Sequence, residues 1–402
     1  MNDTSGLSII DTTAPRPITL PALFAKFLRF GALAFGGPVA QIAMLRQALV
    51  EDEHWIGKAR FNRLLAVLQV LPGPEAHELC VHLGMIARGR WGGLLAGLGF
   101  MLPGLLLMLA AGWAYTTWIV GRTVWAGVLL GVQIVVLAVI VRSVWRIGEH
   151  IIETRLLGAI AAASLIATLL GVPFWIPLVA AGFVYAVRHR PAWAWLVVAV
   201  AVALGWLAQF VTLPGASVAT KGLATGAVAL FVAGLKGGLL TFGGAYTAIP
   251  YVRADTVGRG WISDATFLDG IGIAGLLPAP LVIFATFVGY VAGGLAGALA
   301  ITAGMFLPAF AFSLILFERL EAITEHPVLQ RALEGVAAAV VGVIAATAIH
   351  LGMATTVNVP SFLIAAAMFG VALLAAWRLR GAWVTPVILL GGAILGWTLL
   401  RG

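Results

Sequence analysis

The apolar positions of this chain form long unbroken runs separated by short polar gaps. Runs of roughly 20 apolar residues, enough for a helix to cross a bilayer, recur from Phe24 to the C-terminus. They predict an all-α polytopic membrane protein with about 13 transmembrane segments. The predicted segments are 24–48, 62–87, 91–119, 124–147, 156–171, 173–187, 192–213, 224–251, 265–290, 293–317, 328–351, 360–377 and 382–400.

Composition supports the membrane class. Of the 402 residues, 61% are hydrophobic and 10% are charged, whereas about a quarter of the residues in soluble domains are charged. The single cysteine, Cys80, excludes an intrachain disulfide and a four-thiolate metal site, and we expect no metal or other cofactor. The net charge of +8 is attributed to cytoplasmic loops, so nucleic acid is not an expected partner.

The distribution of basic residues predicts the orientation. Residues 1–20 are polar and lack the basic region, apolar core and cleavage site of a signal peptide, so we expect a cytoplasmic N-terminal tail. With that orientation, most of the 24 lysines and arginines fall in cytoplasmic gaps, as the positive-inside rule requires. Arg142 and Arg146 mark the cytoplasmic end of the fourth segment.

Two apolar runs contain helix-breaking residues at matching places. "LAFGGPVAQIAML" covers 33–45 and "LTFGGAYTAIPYV" covers 240–252. Glycine pairs and proline are unfavourable inside a helix, so both runs predict a helix that stops and restarts within the membrane. Such glycines and prolines can also serve only close helix packing or kinks.

The breaks belong to an internal repeat. "LPGP" at 71–74 aligns with "LPAP" at 277–280, and "MLPG" at 101–104 aligns with "FLPA" at 306–309. We expect a first repeat at 21–215 and a second at 216–402, with one additional short helix near 149–170 in the first. Seven crossings before the second repeat would invert it, as in many secondary transporters. If the second segment alone were a re-entrant hairpin, the repeats would be parallel.

The motifs resemble those of the chromate transporter (CHR) family of bacterial inner-membrane proteins, in its long two-domain form. The matching stretches include "FLRFGALAFGGPVAQIAMLR", "LQVLPGPEAHEL", "FGGAYTAIPYV" and "GLLPAPLVIFATFVGY". The resemblance implies export of chromate, with sulfate as a look-alike, driven by the proton or electrical gradient and giving chromate resistance. Gly275 and Ala279 depart from the Gln and Gly expected in the second-half motif.

The broken helices predict an oxyanion site. A helix that restarts in the membrane presents free N–H groups and the positive end of its dipole, and glycine lets an anion approach the backbone. Arg29 and Lys236 occupy equivalent positions before the two breaks and are candidate counter-charges, although Arg29 can also reach the membrane interface. The other candidate substrate-binding residues are Phe35, Gly36, Gly37, Pro38, Gln41, Gln69, Pro72, Gly73, Pro74, Phe242, Gly243, Gly244, Tyr246 and Thr247.

Glu75 and Glu78 are the candidates for proton coupling. They follow Pro74 within an apolar segment, and a carboxyl group at membrane depth can carry a proton. Alternatively, the glutamates pair with Arg88 or Arg90, or Glu75 caps its own helix.

The sequence argues against an enzyme and leaves the transported anion, the mode of transport and the oligomeric state open. The sequence contains no HExxH, GxSxG or Walker motif, so we expect a transporter rather than an enzyme. A sulfate transporter and an uncoupled anion channel are the alternatives. The glycine-rich segments "GRWGGLLAGLG" and "GYVAGGLAGALA" can pack within one chain or between the two copies of a homodimer.

Overall fold

The computed structural model describes residues 17–68, 71, 73–210, 226–242, 244–315, 327–379 and 381–400. Within these ranges the chain is helical and contains no strand, which confirms the all-α class. In the part described, five helical stretches are long and apolar enough to cross a membrane, and five shorter apolar helices accompany them. The count of 13 segments stays a prediction.

The helices fall into two groups along the chain. The first group comprises α1 (Leu20–Ala32), α2 (Gly37–Arg46), α3 (Lys58–Leu68), α4 (Glu75–Ala114), α5 (Ala126–Ile151), α6 (Arg155–Leu169), α7 (Trp175–Ala186) and α8 (Pro191–Phe210). The second group comprises α9 (Ala227–Leu239), α10 (Ile249–Thr256), α11 (Asp264–Leu276), α12 (Phe284–Ile315), α13 (Pro327–Thr356), α14 (Phe362–Arg378) and α15 (Val384–Leu399).

The long helix α4 folds back on itself. A straight helix of its 40 residues would be about 60 Å long, twice the ~30 Å hydrocarbon core of a bilayer. Arg88 and Gly89 leave helical geometry, and Gly89 has φ +62°, a left-handed value that suits glycine. A Cβ atom on Gly84 would lie 2.4 Å from the carbonyl oxygen of Gly92, although the two residues would be about 12 Å apart in a straight helix. The two arms of α4 are therefore antiparallel.

The same reversal occurs in α12. Gly293 (φ −147°, ψ 21°) and Gly294 (φ 62°, ψ −157°) match Arg88 (φ −146°, ψ 30°) and Gly89 (φ 62°, ψ −156°). We call 75–87 and 90–114 the first and second arms of α4, and 284–292 and 295–315 the first and second arms of α12.

Close glycine contacts also recur in the two halves. A Cβ atom on Gly31 would lie 2.3 Å from the carbonyl oxygen of Phe100, and one on Gly238 would lie 2.3 Å from that of Met305. The first pair joins α1 to the second arm of α4, and the second pair joins α9 to the second arm of α12. These contacts support the alignment of the two halves that the motifs predict.

The second arms of α4 and α12 pack against each other in opposite directions. Gly93 lies beside Leu314, and Gly97 lies beside Phe310, so the residue number falls along one arm as it rises along the other. Equivalent helices related by a twofold axis along the membrane normal would run parallel, whereas an axis in the membrane plane makes them antiparallel. The packing therefore supports the inverted relation of the repeats.

The remaining helices pair across the two halves. The helices α6 and α7 pack on α13, and α14 and α15 pack on α5. In this pattern α6 corresponds to α14 and α7 to α15. In this pairing α8 has no counterpart among the described helices, whereas the sequence alignment places the additional helix near 149–170. The position of the additional helix stays a prediction.

Candidate functional site

The first break lies between α1 and α2. Gly36 and Gly37 have φ values of +84° and +79°, which other residues adopt at a cost, and Pro38 occupies the first turn of α2. Gly36 packs against Ala382, because a Cβ atom there would lie 2.5 Å from the Ala382 Cα atom. The ring of Phe35 stacks on Trp383, with 4.6 Å between ring centres. The loop between α14 and α15 therefore covers this break.

The second break lies between α9 and α10. Gly244 has φ +133°, and a short 3₁₀ helix, Ala245–Ala248, precedes α10. The Thr247 hydroxyl donates a hydrogen bond to the carbonyl oxygen of Gly244 (2.6 Å) and accepts one from the backbone N–H of Phe242 (3.1 Å). The hydroxyl of Thr247 thus links the backbone on both sides of residue 243 and stabilises the conformation of the break. Gly243 lies outside the described residues, as do Gln69 and Pro72 of the candidate set.

Each half's interruptions contact those of the other half. The backbone N–H of Gly73 donates a hydrogen bond to the carbonyl oxygen of Thr241 (2.8 Å). The buried Gln41 amide donates to the carbonyl oxygens of Ala34 (2.9 Å) and Ala279 (3.1 Å). The FGG break of one half thus meets the LPxP turn of the other half on both sides. These interruptions are distant in sequence and are brought into contact by the fold.

The two glutamates begin the first arm of α4 and are buried. Pro74 is the N-cap residue and Glu75 the first helical residue, so Glu75 occupies the capping end of this helix. The Glu78 side chain lies over Gly73, since a Cβ atom on Gly73 would lie 2.3 Å from Glu78 Oε1. Neither oxygen of Glu78 has a hydrogen-bond partner among the described residues. Burying an ionised carboxylate without a hydrogen-bond donor costs free energy, and protonation removes the charge that makes the burial unfavourable.

The alternative pairings of the glutamates do not occur. Arg88 and Arg90 are exposed at the reversal of α4, and no ion pair joins either of them to Glu75 or Glu78 in the described structure. His77, between the glutamates, packs edge-on against Phe306 and Phe310, which belong to the second arm of α12. The first arm of α4 thus brings two buried carboxyl groups to the interface between the halves.

The two candidate counter-charges differ in environment. Lys236 Nζ forms an ion pair with Asp255 at 3.0 Å, and Arg259 contacts the same carboxylate at 3.2 Å. Lys236 is therefore a cation paired with a carboxylate of α10, and its role as a counter-charge for the anion stays a prediction. Asp255 was not among the predicted residues, because only the packing of α9 on α10 brings it to Lys236. Arg29 is exposed, which agrees with an interfacial position.

A second buried carboxylate lies in α11. Asp269 accepts hydrogen bonds from the Tyr115 hydroxyl (2.6 Å) and from the Gln133 amide (2.8 Å), and both donors belong to the first half. The sequence carried a signal for this residue, since Asp269 is an acidic residue inside the apolar segment 265–290. Asp269 is buried, so its side chain lies inside the fold, which its position near one end of that segment does not by itself predict.

The described residues contain no group of three or more His, Cys, Asp or Glu side chains arranged to hold a metal ion. A cavity of about 10 Å³ lies between α5, α11 and the second break, with Val136, Ile140, Tyr246 and Ile271 among its lining residues. That volume has room for about one water molecule.

Comparison with known proteins places this architecture in a family. The sequence model of the family described as "Chromate transporter" matches residues 21–206 and 228–397, which cover both halves. The chain belongs to the chromate transporter family. This is a family of transporters, not of enzymes, and the match across both halves fits its long two-domain form.

Relatives within the family align over nearly the whole chain. The "Chromate transport protein" of Pseudomonas aeruginosa is 55% identical over 95% of this chain and 93% of the relative. The "Chromate transport protein" of Cupriavidus metallidurans is 31% identical over 96% of each chain. The "Probable chromate transport protein" of Synechococcus elongatus is 30% identical over 94% of this chain and 95% of the relative. No solved structure matches this chain.

Proposed function

We propose that this protein is a secondary active transporter that exports chromate across the bacterial inner membrane and thereby gives chromate resistance. Its N-terminal tail, 1–20, is cytoplasmic, and the repeats are 21–215 and 216–402. The relatives from P. aeruginosa and C. metallidurans are chromate transport proteins, and we infer the same substrate for this chain. The structural observation that carries it is the contact of each FGG break with the LPxP turn of the opposite repeat.

Convergent helix breaks suit a tetrahedral dianion. Backbone N–H groups at helix N-termini donate to oxyanions, and glycine removes the side chain that would keep the anion away. Site candidates from both halves contribute to this contact or adjoin it, including Gln41, Gly73 and Thr247. A site at the interface of inverted repeats can open to alternate sides as the repeats rock.

Coupling to protons is assigned to Glu75 and Glu78. Inward movement of a proton on a buried carboxyl group and outward movement of the dianion both carry positive charge inward, so the proton gradient and the membrane potential can both drive export. Glu78 suits this role because its carboxyl lies against Gly73 at the crossing between the halves. The second half has Leu281 and Phe284 in this region, so the coupling groups belong to the first half.

Flux into liposomes tests the function. The purified protein is reconstituted, and uptake of radiolabelled chromate is measured with an imposed pH gradient, with an imposed voltage, and with neither, with excess sulfate as competitor. Gradient-driven chromate uptake is the expected result. Uptake of sulfate without uptake of chromate would mean that sulfate, and not chromate, is the substrate. Ion conductance without any response to a pH gradient would indicate an anion channel. Flux of neither anion would refute the proposal.

A further inference from the structure

Two arginines lie on the part of α5 that packs against the second break. Tyr246, in the 3₁₀ helix of that break, lines a cavity together with Val139 and Ile140 of α5. A Cβ atom on Gly244 of the break would lie 3.9 Å from the Ile147 side chain. Arg142 and Arg146 fall between these contacts along α5, so the fold brings two residues that the sequence marks only as a membrane boundary to a candidate substrate-binding segment.

The arginines carry charge that the described structure does not neutralise. Arg142 and Arg146 form no ion pair with any described carboxylate, and Glu149 on the same helix bonds instead to Trp145. Arg142 Nε is buried and has no hydrogen-bond partner among the described residues. Like charges four residues apart on a helix repel each other, so an anion bound between them would remove that repulsion.

The surroundings of the pair provide a further donor and a small space. Tyr246 contributes a hydroxyl group and also lines the cavity between α5 and α11, whereas the Ser143 hydroxyl donates to the carbonyl oxygen of Val139. The corresponding residues in the second half, on α13, are Ala346 and His350, so the arginine pair occurs in one half only. The cluster is thus an asymmetric feature, built from α5 of the first repeat and the break of the second.

We propose that Arg142 and Arg146, together with Tyr246, form a binding site for a tetrahedral divalent oxyanion beside the second break. This inference rests on the proposed function and deepens it by naming the cationic side chains that contact the substrate. Two guanidinium groups match the charge of a dianion, and guanidinium donors match the geometry of oxyanion oxygens. On the predicted orientation, the site is reached from the cytoplasm, the side from which an exporter loads.

The test compares Arg142→Gln, Arg142→Lys and a control, Arg155→Gln, in liposomes. Arg155 is an exposed residue at the start of α6, outside the cluster. We expect the KM for radiolabelled chromate to rise about tenfold in Arg142→Gln, as for a lost charge-assisted hydrogen bond of ~1.4 kcal/mol, with a smaller rise in Arg142→Lys. Arg155→Gln should keep the wild-type KM.

Thermal unfolding in detergent separates binding from a structural role. Chromate or sulfate should raise the Tm of the wild type and of Arg155→Gln, because a ligand stabilises the state that binds it, but not that of Arg142→Gln. Without anion, Arg142→Gln should have a Tm equal to or above that of the wild type, because a repulsion is removed. A wild-type KM in Arg142→Gln, or a lowered anion-free Tm with an unchanged anion-induced shift, would overturn the site.

Failure of the proposed function gives a different result. In one outcome, the wild type transports neither chromate nor sulfate, while both anions raise its Tm and leave that of Arg142→Gln unchanged. That result would refute the transport function and support the anion site. If neither anion raises the wild-type Tm, the site falls as well. If chromate is transported with the same KM in wild type and Arg142→Gln, the site alone falls.

Discussion

The backbone N–H of Gly73 donates a hydrogen bond to the carbonyl oxygen of Thr241, 2.8 Å away. Gly73 belongs to the LPGP turn of the first half, and Thr241 directly precedes the FGG break of the second. A break in a membrane helix exposes backbone polar groups that must be satisfied by protein or by water. Here one interrupted helix partly satisfies another across the repeat interface, which ties the two halves together at the proposed substrate pathway.

Substitution of the glycines in the first break should show which of them is constrained by packing. Gly36 and Gly37 both have positive φ values, but only Gly36 has a neighbour, Ala382, within reach of a Cβ atom. We expect Gly37→Ala to cost about 1–2 kcal/mol from backbone strain and Gly36→Ala to cost about 1–3 kcal/mol more from overpacking. Thermal unfolding in detergent measures the difference. Equal losses would contradict the contact with Ala382.

Removal of the Glu78 carboxyl should uncouple transport from protons. In Glu78→Gln the site keeps its shape but no longer carries a proton, so chromate flux should lose its response to an imposed pH gradient. A pH-sensitive dye inside the liposomes measures proton entry during chromate flux. Glu153→Gln, at an exposed position between α5 and α6, is the matched control and should keep coupling. Retained coupling in Glu78→Gln would assign the proton to another group, with Glu75→Gln as the next variant.

The pairing of Lys236 with Asp255 leads to a rescue experiment. Lys236→Gln leaves the buried Asp255 with Arg259 as its one remaining partner among the described residues, so we expect a loss of stability and transport. The loss would come from the incompletely compensated charge of the Asp255 carboxylate. The double variant Lys236→Gln/Asp255→Asn should therefore regain part of the stability and part of the transport. A double-mutant cycle on Tm and on chromate flux gives the coupling between the two residues. If the double variant transports no better than Lys236→Gln, Lys236 acts directly on the anion.

The Asp269 cluster should contribute to stability between the halves. Asp269→Ala leaves the Tyr115 hydroxyl and the Gln133 amide without their shared acceptor, which should cost about 1–3 kcal/mol. Tyr115→Phe removes one donor while Gln133 still serves the carboxylate, so its loss should be smaller, about 1 kcal/mol. Thermal unfolding of the two single variants and their combination checks this order. A Tyr115→Phe loss equal to that of Asp269→Ala would mean that Gln133 adds nothing.

The positions of the helix breaks are a feature of the fold that the local sequence predicts. The Gly-Gly pairs and the LPxP strings mark where helices must stop, because glycine and proline disfavour helix in almost any context. The reversal within α4 fell between the predicted segments 62–87 and 91–119 for the same reason, since the polar "ARGRW" string at 87–91 interrupts the apolar run. The position of the additional helix is less predictable, because α6 and α8 are both apolar and the local sequence does not distinguish them.

The amino-acid sequence by itself determined the all-α membrane class, the two related halves, the positions of the breaks and the family. These features depend on hydrophobicity, on glycine and proline, and on short motifs, which act within a few residues. The tertiary structure decided that Gly73 meets Thr241, that Lys236 pairs with Asp255, and that Tyr246 packs against α5. Each of these contacts joins separate segments of the chain, so it depends on how the helices pack in the folded protein, and no local pattern encodes that relation.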